Sequence, residues 1–265
     1  MSRIWDMLRK AELCADNPHL VKVVGEPAVR IESASVRVGP GAEVIVYNEP
    51  RGVLADRFRF LRAQLRGLWS QEKLKSLLIT SPFPHDGKTT VSLNLAITLA
   101  ERGKRKVLVV EADLHHPQLT ERLGVSKELS GLADCLEREL DPFSVIRSVE
   151  PVGIHLVPAG KSRSHPTELL QSEHLSRVMR SYRDRFDWVV VDSPPVKPLS
   201  DALLLRQRTD ATLLVLRAGQ TMKFAADEAV ELLGKKHILG MVINGVEGLD
   251  RTYSRYYGSY GSKVK

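Results

Sequence analysis

Six short apolar runs recur along the chain: "SLLIT" from Ser76, "KVLVVEAD" from Lys106, "GIHLVPAG" from Gly153, "WVVVDSPP" from Trp188, "ATLLVLRAG" from Ala211 and "ILGMVING" from Ile238. Continuous runs of this length, without polar alternation, suit strands buried on both faces. Helical patterns separate them, among them "VSLNLAITLAERG", "ELLQSEHLSRVMRSYRDR" and "KFAADEAVELLGKK", and a further helix is expected from about Gly52 to Glu72. Strands that alternate with helices predict an α/β fold with a mainly parallel sheet covered on both faces. With 265 residues the chain holds one large domain and short extra segments, not two full domains.

Residues 1–48 read differently. "MSRIWDMLRKAE" spaces Ile4, Met7, Leu8 and Ala11 as a short amphipathic helix, and the breakers "NP", "GEP" and "GPG" make 17–48 a loosely structured arm. The domain is then expected over 49–248, with a tail at 249–265. No run approaches the roughly 18 to 20 apolar residues of a membrane span, and the N-terminus lacks a signal-peptide core, so any work at a membrane is expected to proceed by docking. Cys14 and Cys135 stand in no metal-ligand spacing, which fits buried thiols in a reducing compartment. A net charge of +7 suits acidic partners without choosing among nucleotides, nucleic acid and anionic lipid.

Chemistry concentrates after the first strand. "SPFPHDGKTT" ends in the Gly-Lys-Thr of a phosphate-binding loop, where backbone N–H groups and the positive end of the next helix wrap a di- or triphosphate. Lys88 would neutralise the β and γ oxygens and the Thr89 hydroxyl would ligate Mg2+. The loop departs from the standard pattern, which has glycine where Pro82 stands, while His85 and Asp86 replace residues that are often glycine; Gly87 is kept. Strand-end acids add to the site: Glu111 and Asp113 share one side of an extended chain, and Asp192 is placed to hold Mg2+ through water.

On these residues the sequence resembles the bacterial tyrosine kinases of capsule and exopolysaccharide biosynthesis, relatives of the MinD/ParA group of P-loop ATPases. The resemblance runs from about Tyr47 to Lys265 through "DRFRFLR", "SPFPHDGKTT", "VVEADLHHP", "GLADCL", "VPAGKSRSHPTELL", "VVVDSPPV" with "SDALLL", and "ILGMVINGV". It implies ATP and Mg2+ as cofactors, with Gly87, Lys88, Thr89 and Thr90 around the phosphates and Thr89, Asp192 and Glu111 around the metal. It also makes Asp113 the acid that orients or deprotonates the attacking hydroxyl, since a tyrosine of pKa near 10 needs such help. Asn244 falls where relatives contact the base, a position that equally suits a strand-ending turn. The family has aspartate at Glu111 and arginine at His115; the longer glutamate is expected to weaken catalysis, and His115 and His116 read as solvated loop residues. Asp56, Arg59 and Arg62 match a family helix that supports ring-like self-assembly, although an ordinary basic surface helix fits the same spacing.

The tail, "DRTYSRYYGSYGSKVK", holds Tyr253, Tyr256, Tyr257 and Tyr260, four of the six tyrosines, and no apolar periodicity. If the last strand is parallel to the others, the eight residues from Gly245 to Tyr253 reach about 27 Å from the catalytic edge. The combined reading is a cytoplasmic tyrosine autokinase, peripheral at the inner face of the membrane. It assembles as a homo-oligomer, phosphorylates the tail of an adjacent subunit, is activated by a separate transmembrane protein, controls polysaccharide polymerisation and export, and needs no nucleic acid. Two alternatives stand beside it. One is a nucleotide-binding scaffold of weak catalysis; the other is a MinD/ParA-type positioning ATPase, opposed by Phe83 where that group carries its signature lysine.

Overall fold

The computed structural model describes residues 32–35, 44–72, 74–125, 128–162 and 164–247. The N-terminal helix expected at 1–12 and the tail tyrosines lie outside the described residues. The chain opens with β1 (Glu32–Ser35), α1 (Ile45–Asn48), α2 (Val53–Glu72), β2 (Ser76–Thr80), α3 (Lys88–Leu99) and β3 (Val107–Glu111). It continues through α4 (Leu119–Arg122), α5 (Leu132–Arg138), β4 (Arg147–Glu150), β5 (Ile154–Val157), α6 (Pro166–Gln171), α7 (Glu173–Arg185) and β6 (Trp188–Asp192). It closes with α8 (Asp201–Arg206), β7 (Ala211–Arg217), α9 (Lys223–Leu233), a 3-10 turn at Lys235–His237 and β8 (Ile238–Asn244).

The sheet order is β1-β4-β5-β3-β6-β2-β7-β8. All six apolar runs are strands, and those six, β5 to β8 in sheet order, are mutually parallel; β4 alone runs antiparallel to its neighbour β5, and β1 follows β4. Alternation across the pleat divides the interior. Leu77, Ile79, Val107, Val109 and Val190 face a core closed by α2 and α3, while Leu78, Leu108, Val110, Val189 and Val191 face one closed by α5, α6 and α7. All twelve residues of α3 are buried, and apart from Lys88 none of them is charged. Among the described residues no helix is long and apolar enough to cross a membrane. Cys135 is buried, and desolvation pushes its thiol up to about 11, fitting an inert core thiol.

The loose arm expected at 17–48 is corrected in part. Glu32–Ser35 pairs with β4, Val44 is fully buried, and the Val46 N–H donates to Asn94 Oδ1 at 3.0 Å. β1 and β4 escape periodicity because "ESAS" and "RSVE" are short, three-quarters polar and at the sheet's margin. The long pattern ending at Arg185 breaks into α6 and α7 at Ser172, whose extended backbone and hydroxyl, accepting from the Leu175 N–H at 3.4 Å, start a new helix.

Candidate active site

The loop between β2 and α3 sits at the carboxyl edge of the parallel strands. The glycine missing at position 82 is not needed, because the loop's left-handed residues are His85 (φ 67°) and Gly87 (φ 99°). Gly87 is required twice over. Its φ disfavours any side chain, and an added Cβ would lie 1.9 Å from Asn244 Nδ2. That amide donates to the Asp86 carbonyl at 3.1 Å, and Arg217 Nη1 donates to the His85 carbonyl at 3.1 Å, so the exits of β7 and β8 hold the loop from behind.

Asp86, an acid in a phosphate loop, is buried and turned into the loop's own structure. Oδ2 accepts from the Phe83 N–H at 3.0 Å and Oδ1 from the Thr221 hydroxyl at 2.8 Å. No side chain caps α3, so its first-turn N–H groups remain available to an anion.

Three elements bring the predicted acids beside the loop. Lys88 Nζ lies 3.1 Å from Asp113 Oδ2, with both side chains almost wholly buried. Asp192, at the end of β6, accepts from Ser92 Oγ at 2.9 Å and from the Thr89 hydroxyl. Desolvation raises Asp192 to about 6, against the charge of Lys88 and those two hydrogen bonds, while Glu111 adds to the rise. A threonine hydroxyl and a carboxylate beside uncapped helix N–H groups form the hard-oxygen donor set that suits Mg2+ with a nucleotide phosphate. Thr90 is in place on α3, but its hydroxyl accepts from Arg122 Nη1 at 3.2 Å. Ser92 was not singled out from the sequence; its position four residues after Lys88, on the same helical face, was the available signal.

Two expectations are revised. Glu111 is buried, and all its close partners are donors from the fold: Oε1 accepts from the Leu119 and Thr120 N–H groups at 2.6 and 3.1 Å, and Oε2 from the Ala159 N–H at 3.1 Å and the Thr120 hydroxyl. Burial raises its pKa and these bonds oppose the rise. The carboxylate is held in a bracket joining β3, α4 and the loop after β5, a set of partners that the metal role expected of it did not include. His115 is no solvated loop residue either. Its Nε2 lies 3.1 Å from Asp201 Oδ2, Asp201 is fully buried, and its other oxygen accepts from the Thr167 hydroxyl at 2.8 Å. His116 contributes its backbone N–H to Asp113 Oδ1 at 3.0 Å. On α2, Arg59 pairs with Asp56 and donates to the Pro50 carbonyl, and Arg62 Nη1 donates to the Thr98 carbonyl at 3.2 Å.

A glycine-hinged loop opening a buried helix at the carboxyl edge of a parallel sheet, with a strand-end aspartate beside it, defines a P-loop nucleotide domain. A family model described as an AAA domain matches residues 86–228. The tyrosine-protein kinase YwqD of Bacillus subtilis is 30% identical over 83% of this chain and 92% of its own length. The kinase domain of the Escherichia coli tyrosine kinase ETK superposes with a TM-score of 0.73 at 28% identity, over 77% of this chain and 80% of that one. MinD of Pyrococcus furiosus, a cell division ATPase, reaches 0.57 at 27% identity over 67% and 74%. The chain belongs to the bacterial tyrosine-protein kinase family.

Proposed function

We propose that the chain is an ATP-dependent tyrosine autokinase that phosphorylates Tyr253, Tyr256, Tyr257 and Tyr260 of a neighbouring copy. The observation that carries this is the Lys88–Asp113 pair beside Thr89, Ser92 and Asp192. Lys88 and the first turn of α3 would hold the phosphates, and Thr89 and Asp192 would hold Mg2+, which supplies charge neutralisation at the transferring group. Asp113 stands 3.1 Å from the phosphate-binding lysine and is proposed to take the tyrosine proton as the new bond forms. Asn244 lines a groove of about 570 Å3 between α2 and β8, with Phe58, Leu61 and Val91, whose apolar walls suit a nucleobase.

The enzyme is further proposed to act as a homo-oligomer through the α2 face of Asp56, Arg59 and Arg62, in a ring. It would work in the cytoplasm, peripheral to the membrane, with a separate transmembrane activator, in control of polysaccharide polymerisation and export. The engaged state of Glu111 favours a second reading, a nucleotide-binding scaffold that transfers no phosphate. Intact mass separates them. Phosphatase-treated protein incubated with Mg·ATP should gain successive phosphates, and Lys88→Met and a chain ending at Asp250 should gain none. No gain, even with an activator's cytoplasmic segment present, establishes the scaffold instead.

A further inference from the structure

The parallel strands begin in register: Val107 lies opposite Trp188, Ser76 opposite Val189, Leu77 opposite Ala211 and Thr212 opposite Ile238. The turns feeding β3, β6, β2, β7 and β8 therefore stand side by side on the sheet edge opposite the phosphate loop, across about 20 Å of sheet width. These turns are cationic. Counted with the last turn of the preceding helix, the connection before β3 holds four lysines and arginines, those into β6, β7 and β8 hold two each, and Lys75 precedes β2. Among the described side chains, eleven cations thus face six carboxylates, Glu101, Glu150, Asp184, Asp187, Asp210 and Glu231, a surplus of +5.

Three of these acids are engaged within the fold: Asp210 lies 2.6 Å from Arg183 Nη2, Asp187 accepts from the Lys106 N–H at 2.9 Å, and Glu101 lies 3.2 Å from Arg66 Nη1. Arg183, Arg185 and Arg206 lie in last turns, where a helix dipole accounts for them. It does not account for Lys104, Lys106, Lys235 and Lys236, which are exposed beyond the ends of α3 and α9. Residual burial and then the charges of Arg206 and Lys236 hold the His237 imidazole below its ordinary value, as a positive surface requires. Among the described side chains at this edge, Phe186 and Trp188 are buried and give bases nothing to stack on. At the opposite edge Asp86, Glu111, Asp113 and Asp192 are all buried, and Asp113 and Asp192 stand beside Lys88.

We propose that this broad cationic edge docks on an anionic lipid bilayer and turns the nucleotide site away from the lipid. This deepens the membrane-peripheral reading above. The test is sedimentation of the full chain with vesicles of phosphatidylcholine, with and without phosphatidylglycerol. One variant carries Lys104→Gln, Lys106→Gln, Lys235→Gln and Lys236→Gln. A second of equal charge carries Arg138→Gln, Lys161→Gln, Arg177→Gln and Lys223→Gln, at cations exposed elsewhere. Binding should require phosphatidylglycerol, weaken with salt, fall more than about tenfold in the first variant and persist in the second. Full binding by the first variant, equal loss in both, or preference for duplex DNA over the vesicles at the same salt overturns the proposal. Autophosphorylation read on the same samples without lipid keeps the two questions apart: vesicle binding without phosphate gain removes the kinase reading and leaves the docking intact.

Discussion

At the scale of single residues, the structure assigns different work to acids that the sequence made alike. Glu111 and Asp192 both end strands and both carry raised pKa values, yet Glu111 is bracketed by donors of the fold whereas Asp192 meets side chains of α3. Glu111→Gln, which turns an amide toward those N–H groups, should cost about 2 kcal/mol in urea unfolding while leaving Mg2+ affinity near wild type. A loss of Mg2+ affinity without loss of stability would return Glu111 to the metal. For Asp192, folding favours the neutral acid in the metal-free protein, since its pKa rises from 3.8 to about 6. Its contribution is therefore full below the unfolded value and disappears as pH climbs through the folded one. Against the permanently neutral Asp192→Asn, wild type should lose on the order of 3 kcal/mol of relative unfolding free energy between pH 4 and pH 7. The strand-end position of these acids was legible in sequence, but their direction was not, because the partners across the sheet decide it.

At the scale of elements, the six parallel strands were legible because continuous apolar runs have no other soluble home. β1 and β4 were not, since marginal strands need no such run. The same holds for the loop: Gly-Lys-Thr located it, whereas the roles of Asp86, Thr221, Arg217 and Asn244 depend on contacts across more than a hundred residues of chain, which no local pattern encodes. Element joints of this kind carry much of the stability. Asp210, just before β7, accepts from the Lys75 and Ser76 N–H groups at 2.9 and 2.8 Å and from the Ser76 hydroxyl at 2.9 Å, and it pairs with Arg183. Asp210→Ala leaves those donors unpaired at the junction of β2 and β7, and thermal unfolding should report a loss of about 3 kcal/mol, with nucleotide affinity unchanged in the folded fraction.

For the whole molecule, the proposed reaction changes the charge of its own product. The tail from Asp250 carries +3, with the terminal carboxylate left aside, and four phosphates add about −6 to −8. Sedimentation velocity should show smaller assemblies after phosphorylation, and identical sizes would remove the charge switch. The clamp of Asn244 on the loop carries a further consequence. Asn244 ends the last strand and grips the Asp86 carbonyl, and only nine residues, at most about 30 Å of chain, separate it from Tyr253. The segment proposed to deliver the acceptor is thus tethered to the residue that shapes the phosphate loop. Thermodynamic reciprocity follows: if capture of the tail by a neighbour tightens or slackens that tether, ATP must alter tail capture by the same factor, and a single coupling free energy links the two events.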